Sequence, residues 1–320
     1  MTRVIETRHI YRQFSLKAGP FSPGRQLTAV ADVSISLDAG ETLGIAGETG
    51  CGKSTFARIV MGLIPPSSGY VLYCGQPLAK MTKGELTAFR RSVQMVFQDP
   101  FSSLNPRMRI GEIIGEPLVI HRMASGKALK EKVGELMNQV GLSPDLMHRY
   151  PHEFSGGQRQ RIGIARALAA DPKVLIADEP VSALDLSIQA QIINLLMDLK
   201  QSYGLAFIFI AHDLSVVRHV SDRIAIMYLG RIVEIGSRDE IFSSFLHPYT
   251  EALISSIPRV KPAGGPGRIM LSGDVPTPVS IPQAALSAVA ADTQETCVVL
   301  NSRRLKRKQP DTGRHAISVT

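Results

Sequence analysis

Two stretches of the chain are short and almost wholly apolar, KVLIADEP and LAFIFIAHD, and each closes on an ionisable side chain. Uninterrupted apolar runs with polar ends are the pattern of strands buried on both faces, as in a parallel sheet. Between them, LSIQAQIINLLMDLKQSYG places apolar residues at helical spacing and ends at Gly204. Strand, helix and strand in that order predict an α/β sheet. Upstream, Thr42 to Ala46 reads as another short buried strand and Phe56 to Leu63 as a helix. GYVLYCG and SVQMVFQ read as β runs, and KALKEKVGELMNQVGL has helical spacing within a stretch, 100–170, expected to be mostly helical. Residues 1–40 read as strands separated by an inserted loop, SLKAGPFSPGRQ. DRIAIMYLGRIVEIG reads as a hairpin turning at Leu229-Gly230. No internal repeat is visible, and after Pro258 the chain becomes rich in Pro, Gly and Ala.

Between the strand at 42–46 and its helix lies GETGCGKST. Glycine inside an ordinary element is unfavourable. Gly47, Gly50 and Gly52 so close together imply a backbone that bends sharply and approaches something closely. Gly47-x4-Gly52-Lys53-Ser54 fits the phosphate-cradling loop G-x-x-x-x-G-K-[ST], and it has the strand–loop–helix setting that loop requires. The candidate nucleotide-binding residues are Gly47, Glu48, Thr49, Gly50, Cys51, Gly52, Lys53, Ser54 and Thr55.

Composition narrows the class. The chain has 320 residues, 44% hydrophobic and 20% charged, ordinary for a soluble globular protein and enough for one large domain with or without an appendage. No apolar run approaches bilayer-spanning length, and MTRVIETRHI lacks the apolar core of a signal peptide, so a cytosolic location is expected. Three scattered cysteines, Cys51, Cys74 and Cys297, predict neither a disulfide framework nor a zinc site. Cys51 lies in the phosphate loop and is read as an inert small residue. The net charge is +8, and RRLKRK, Arg303 to Lys308, carries five of the positives. Such a cluster can meet nucleic acid or anionic lipid. Set between NS and QPDTG, it is read as a solvated end, and no nucleic-acid partner is expected.

Two further segments carry chemistry. VLIADE puts two carboxylates at a strand end, where one can reach Mg²⁺ beside a triphosphate. Asp178 is the candidate for the metal shell, and Glu179 for orienting or deprotonating the attacking water. FSGGQRQR, Phe154 to Arg161, is a Ser-Gly-Gly turn opening a helix, which exposes N–H groups at the positive end of a helix dipole. One chain with two phosphate-binding elements but one set of acids predicts pairing with a second chain.

With these segments in hand, the chain resembles the ATP-binding subunits of ATP-binding cassette transporters, whose signature is L-S-G-G-Q. Phe154 replaces the leucine. Gln98 in MVFQDP matches the family's Q-loop glutamine, SALD (Ser182 to Asp185) its D-loop, and His212 in FIAHD its switch histidine. The resemblance covers residues 3–260. It implies a P-loop NTPase fold: a RecA-like parallel core, an N-terminal antiparallel β subdomain and a helical signature subdomain at about 100–170. It implies ATP and Mg²⁺ as ligands, with Lys53 at the β- and γ-phosphates, Thr55 at the α-phosphate, and Ser54, Gln98 and Asp178 around the metal. It implies Glu179, His212 and Gln98 as the catalytic set. Ser155, Gly156, Gly157 and Gln158 of one subunit would cap the γ-phosphate held by another. Tyr11 and Phe14 both lie where the family stacks an aromatic on adenine, and spacing favours Phe14.

The inserted loop, QDPFSSLNPRMRIGEIIGEPL, and HPYTEALISSIP with a later GDVPTP resemble the peptide/nickel importer group, second-ATPase type. That implies a second, different ATPase subunit (a homodimer being the alternative), two membrane-spanning permeases, an indirectly engaged substrate-binding protein, and a peripheral position on the cytoplasmic membrane face. Peptide is the expected cargo, with nickel or another small substrate as alternatives. The expected domains are 1–258 for ATP binding and 259–320 as an extension. The extension departs from the group's pattern from about Ile281: only Cys297 stands where two cysteines are usual. Codons read one base out of phase would permit the missing segment, so two readings stay open for the end of the chain: a frameshifted tail, in the gene or in its sequencing, and a divergent or disordered extension. Among rival classes, DNA-repair cassettes carry coiled coils or a zinc insertion, translation-factor cassettes come in pairs, and GTPases need N-K-x-D. None of these is present, and Glu179 and His212 argue against a non-hydrolysing module.

Overall fold

The computed structural model describes residues 2–16, 25–99 and 101–257. The inserted loop's interior, the whole 259–320 extension and the supposed frameshift lie outside the described residues.

The chain opens with β1 (Arg3–Leu16), β2 (Arg25–Val33) and β3 (Ser36–Asp38), then β4 (Thr42–Ala46), the phosphate loop and α1 (Lys53–Val60). β5 (Ser68–Tyr73) and β6 (Gln76–Pro77) precede α2 (Lys83–Ser92) and β7 (Val93–Val96). Three helices follow, α3 (Ile110–Ile120), α4 (Gly126–Gln139) and α5 (Gly156–Ala169). Then come β8 (Val174–Asp178), α6 (Leu186–Tyr203), β9 (Ala206–Ala211), α7 (Leu214–Val220) and the hairpin β10 (Arg223–Tyr228) and β11 (Arg231–Ser237). The described chain ends with α8 (Arg238–Ser243) and α9 (Pro248–Ser255).

Two sheets form. The larger has order β11-β10-β4-β9-β8-β7, parallel throughout except for β11 at the edge. In the smaller, β1 pairs antiparallel with β2, β3 and β5, and β5 with β6. This is the parallel core, antiparallel subdomain and helical segment expected from sequence. α6 ends on Gly204 with φ 62, and the hairpin turns at Leu229 and Gly230, φ 46 and 81. One boundary differs: the helix expected from Phe56 begins at Lys53 and stops at Val60. The glycine loop itself winds into the helix, so its lysine is the first helical residue rather than part of the connection.

Strand alternation divides the core. On β9, Phe207, Phe209 and Ala211 face the cluster formed with α3 to α7, while Ala206, Ile208 and Ile210 face the cluster under α1 and the small sheet. β8 repeats this with Leu175 and Ala177 against Val174 and Ile176. Every residue of β4, β8 and β9 is buried, which explains their unbroken apolar runs. Register then lines up the strand ends: Ala46 with Ala211, Ile210 with Asp178, and Ala177 with Val96. Among the described residues no helix is long and apolar enough to cross a membrane.

β4 and α7 meet without a gap. A Cβ at Gly44 would lie 2.3 Å from Ser221 Oγ and 2.5 Å from Val217 Cγ1. Gly44→Ala is therefore expected to force α7 away from the central strand and destabilise the fold by about 1–3 kcal/mol, the usual range for overpacking. Urea unfolding of the full chain checks this; an unchanged midpoint would contradict the packing described.

Candidate functional site

The phosphate loop leaves the C-terminal end of β4, where ligand crevices of open α/β sheets lie. Gly52 caps α1 in the left-handed region, φ 110, and a side chain there would lie 2.1 Å from the backbone oxygen of Ala29. The curl is held by Cys51 N donating to Glu48 O (3.3 Å) and Phe56 N to Gly52 O (2.9 Å). Gly230 N on the distant hairpin donates to Cys51 O at 2.9 Å. Inside the curl Lys53, 3% exposed, donates from Nζ to Gly47 O (2.8 Å) and Glu48 O (2.9 Å). The Cys51 thiol is buried, and burial pushes its pKa up, which favours the unreactive thiol.

The neighbouring strands deliver the rest. Ser54 Oγ donates to Asp178 Oδ1 at 2.9 Å, at the end of β8. Burial pushes the Asp178 carboxyl up, and the Ser54 hydroxyl opposes that shift. Glu179 is the next residue, and in a continuing strand its side chain would point to the opposite face from Asp178. Its φ of 45 breaks that alternation. The turn is pinned by Glu179 N donating to Ile210 O (2.9 Å) and by Ser182, whose N and Oγ both donate to Glu179 O at 3.2 and 3.1 Å. Left-handed backbone in a non-glycine residue persists only when its surroundings enforce it, and functional sites are where it concentrates.

The Glu179 carboxylate is the point of convergence. Oε1 lies 3.7 Å from Lys53 Nζ. Oε2 accepts from Gln98 Nε2 at 2.9 Å and lies 3.4 Å from His212 Nδ1. Six of the sequence-predicted residues, Lys53, Ser54, Gln98, Asp178, Glu179 and His212, thus share one cluster fed by four strand ends. The loop contributes backbone from Gly47 to Thr55 around it. Two hard oxygens from Ser54 and Asp178 with a carboxamide nearby form the donor set that Mg²⁺ takes when substrate phosphates complete its shell.

Other predicted residues stand apart. Ser155 is exposed and caps α5, with Oγ accepting from Gln158 N (3.3 Å) and the Gln158 side chain accepting from Ser155 N (3.0 Å). Gly156 and Gly157 pack toward Leu184 and Ile188. Among the described residues no hydrogen bond or ion pair joins Ser155–Gln158 to the Glu179 cluster. Phe14 is half-buried on β1 opposite Leu27, and the Arg12 guanidinium sits 4.6 Å from its ring centre. Tyr11, also half-buried, pairs with Ser68.

One contact went unread in the sequence. Glu48 N donates to the hydroxyl of Tyr249 at 3.1 Å, bringing α9 onto the phosphate loop. The available signal was H-P-Y, with proline at the first helical position, one short helix after a hairpin that borders the loop.

Known proteins share both sequence and fold with this chain. The family described as "ABC transporter" matches residues 30–182, and "Oligopeptide/dipeptide transporter, C-terminal region" matches residues 233–285. The chain is 48% identical to the oligopeptide transport ATP-binding protein OppF of Haemophilus influenzae over 318 residues, 98% of this chain and 94% of that one. It is 50% identical to OppF of Escherichia coli, covering 88% and 86% of the two chains. It is 47% identical to the dipeptide transport ATP-binding protein DppF of Escherichia coli, covering 87% and 84%. Among solved structures, the dimeric ATP-binding cassette MJ0796 in a post-hydrolysis state bound to ADP and Pi aligns with TM-score 0.65 at 28% identity. That alignment covers 73% of this chain and 98% of that one.

Gly52 offers a direct test of the loop. Gly52→Ala meets both a left-handed φ and a backbone oxygen, neither of which a side-chain adjustment relieves. ATP binding by this variant is expected to fall at least about ten-fold, as one misplaced donor set in a buried anion site would cause. Calorimetric titration with ATP reads this, and wild-type affinity would show that the curl is not required.

Proposed function

The chain belongs to the ATP-binding cassette (ABC) transporter family, and from that premise we propose that it is the ATP-hydrolysing subunit that drives a peptide importer. The observation that carries the reading is the convergence of Lys53, Gln98 and His212 on the buried Glu179 carboxylate.

In this reading the N–H groups of Gly47, Glu48, Thr49, Gly50, Cys51, Gly52, Lys53, Ser54 and Thr55 wrap the phosphates of ATP, at the positive end of α1. Lys53 exchanges its loop carbonyls for the β- and γ-phosphate oxygens, and Thr55 meets the α-phosphate. Ser54, Asp178 and Gln98 would hold Mg²⁺, whose charge, when bound, neutralises the phosphate oxygens. Glu179 accepts the proton of the attacking water, and Gln98 and His212 keep its carboxylate aimed. His212 would also meet the γ-phosphate. Phe14 is our choice for stacking on adenine, with Tyr11 on the same strand as the alternative.

The signature residues act in trans. Ser155, Gly156, Gly157 and Gln158 open an exposed helix, and they would cap a γ-phosphate held by a second ATPase subunit. Leu186, 85% exposed beside the Ser182–Asp185 segment, supports a partner on that face. We assign a different ATPase chain to that role, two permeases to the membrane, and a substrate-binding protein acting through the permeases. The cleft of about 460 Å³ lined by Met61, Leu63, Phe97, Glu116, Ile120 and Arg166 borders the strand that leads to Gln98 and suits the membrane partner. The subunit would sit on the cytoplasmic face, with 1–258 as the ATP-binding domain and 259–320 as an extension. The names of the relatives, oligopeptide and dipeptide transport ATP-binding proteins, support peptide as cargo.

Uptake of labelled dipeptide and oligopeptide, with nickel as comparison, in a strain lacking this gene tests the cargo. Loss of peptide uptake that the wild-type gene restores is the expected result; loss of nickel uptake alone would reassign the cargo. Glu179→Gln should bind ATP, hold the dimer closed and reduce turnover by at least about a hundred-fold, the scale of a lost general base. Turnover at the wild-type rate would remove Glu179 from the role given to it.

A further inference from the structure

The region matched by the oligopeptide/dipeptide C-terminal family begins at residue 233, on β11, and includes α9. Among its described residues, one side chain makes a polar contact with the phosphate loop. Tyr249 is 5% exposed, and its hydroxyl accepts the backbone N–H of Glu48 at 3.1 Å. Burial pushes its pKa above the ordinary phenol value, so the hydroxyl stays neutral across the physiological range. Its ring lies 4.3 Å from that of Tyr228, at 37°. Tyr228 ends β10, two residues ahead of Gly230, the residue that holds Cys51 O. The loop is thus gripped at Glu48 by α9 and at Cys51 by the hairpin, and the two grips lean on each other through the tyrosine rings.

The first turn of α9 is itself fixed. Glu234 on β11 accepts from the backbone N–H groups of Leu246 (2.7 Å) and His247 (3.2 Å). His247 Nδ1 accepts from Tyr249 N at 3.1 Å, capping the helix. Pro248 occupies the first helical position, where its missing N–H is no loss. Carboxylate, histidine cap and proline together set where the Tyr249 hydroxyl arrives.

The peptide it holds matters because both neighbouring carbonyls, Gly47 O and Glu48 O, accept from Lys53 Nζ. We propose that Tyr249 is a positioning residue for ATP binding: it holds the Gly47–Glu48 peptide, and through it Lys53, in the phosphate-accepting curl, and Glu234 holds Tyr249. The C-terminal region then takes part in the nucleotide site, so displacement of α9 weakens ATP binding without touching ATP. This rests on the ATPase reading above.

The test uses the full chain and ATP, with affinity read by displacement of a fluorescent ATP analogue and turnover by phosphate release. Tyr249→Phe keeps the ring and removes the acceptor. It is expected to weaken ATP binding about three- to ten-fold, the range of one buried hydrogen bond, raising KM for ATP more than it lowers kcat. Glu234→Gln is expected to weaken binding about two-fold. The double variant should bind ATP no more weakly than Tyr249→Phe alone, because Glu234 acts through Tyr249. A merely structural role would make the two losses multiply, and that result, or wild-type affinity in Tyr249→Phe, overturns the proposal. Failure of the wild-type chain itself to bind ATP would instead remove the ATPase reading, and this inference with it.

Discussion

Glu179 is 6% exposed, and a carboxylate so placed must be met by donors or positive charge. The fold answers with groups from three other strand ends. Lys53 follows β4, Gln98 follows β7 and His212 follows β9. They reach one carboxylate only because the parallel strands terminate in register, Ala46 beside Ala211, Ile210 beside Asp178 and Ala177 beside Val96. A one-residue slip in any strand would turn its apolar side chains to the wrong cluster and move the group that follows it out of reach of Glu179. Packing and chemistry are therefore specified by the same alternation of side chains. The left-handed turn at Glu179 departs from that alternation, and it brings Asp178 and Glu179 to the same cluster.

The signature helix sits outside this constraint. Ser155 and Gln158 satisfy each other in a capping box, so α5 starts without help from the rest of the chain. That self-sufficiency leaves the glycine backbone between them free to meet a group from elsewhere. The loop is wired to Glu179, and the exposed glycine turn that opens α5 is not. A second subunit is the economical way to bring a signature and a loop together, and closure of such a pair is a two-state element that a membrane partner can use.

Much of this was legible in the sequence, for identifiable reasons. β4, β8 and β9 are buried on both faces, so their apolar runs admit little else, and Gly204 at the end of α6 and the Leu229-Gly230 turn mark their own boundaries. The loop, Asp178, Glu179, Gln98 and His212 are short motifs whose chemistry depends on residue type and place. Less legible was anything set by three-dimensional approach. The start of α1 at Lys53 reflects the loop winding directly into the helix, where glycine content argues against helix until the curl is seen. The φ of Glu179 has no signature, because glutamate does not ordinarily adopt that region. Tyr249 lies 201 residues from Glu48, and no local pattern links a phenol to a backbone N–H at that separation.

That last contact changes what the C-terminal region is. Read along the chain, HPYTEALISSIP is a family mark beyond the chemistry. In space its Tyr249 hydroxyl reaches the phosphate loop, set there by a carboxylate on β11 and a histidine cap. A loop that must curl around phosphates depends on glycines, and glycines do not hold a conformation by themselves. Beside the loop's own hydrogen bonds, support arrives from outside at Gly230 and Tyr249, both from the last hundred residues. The segment that distinguishes this group of cassettes and the segment common to all P-loop proteins are thus mechanically one unit, so a change in the first is felt by the second.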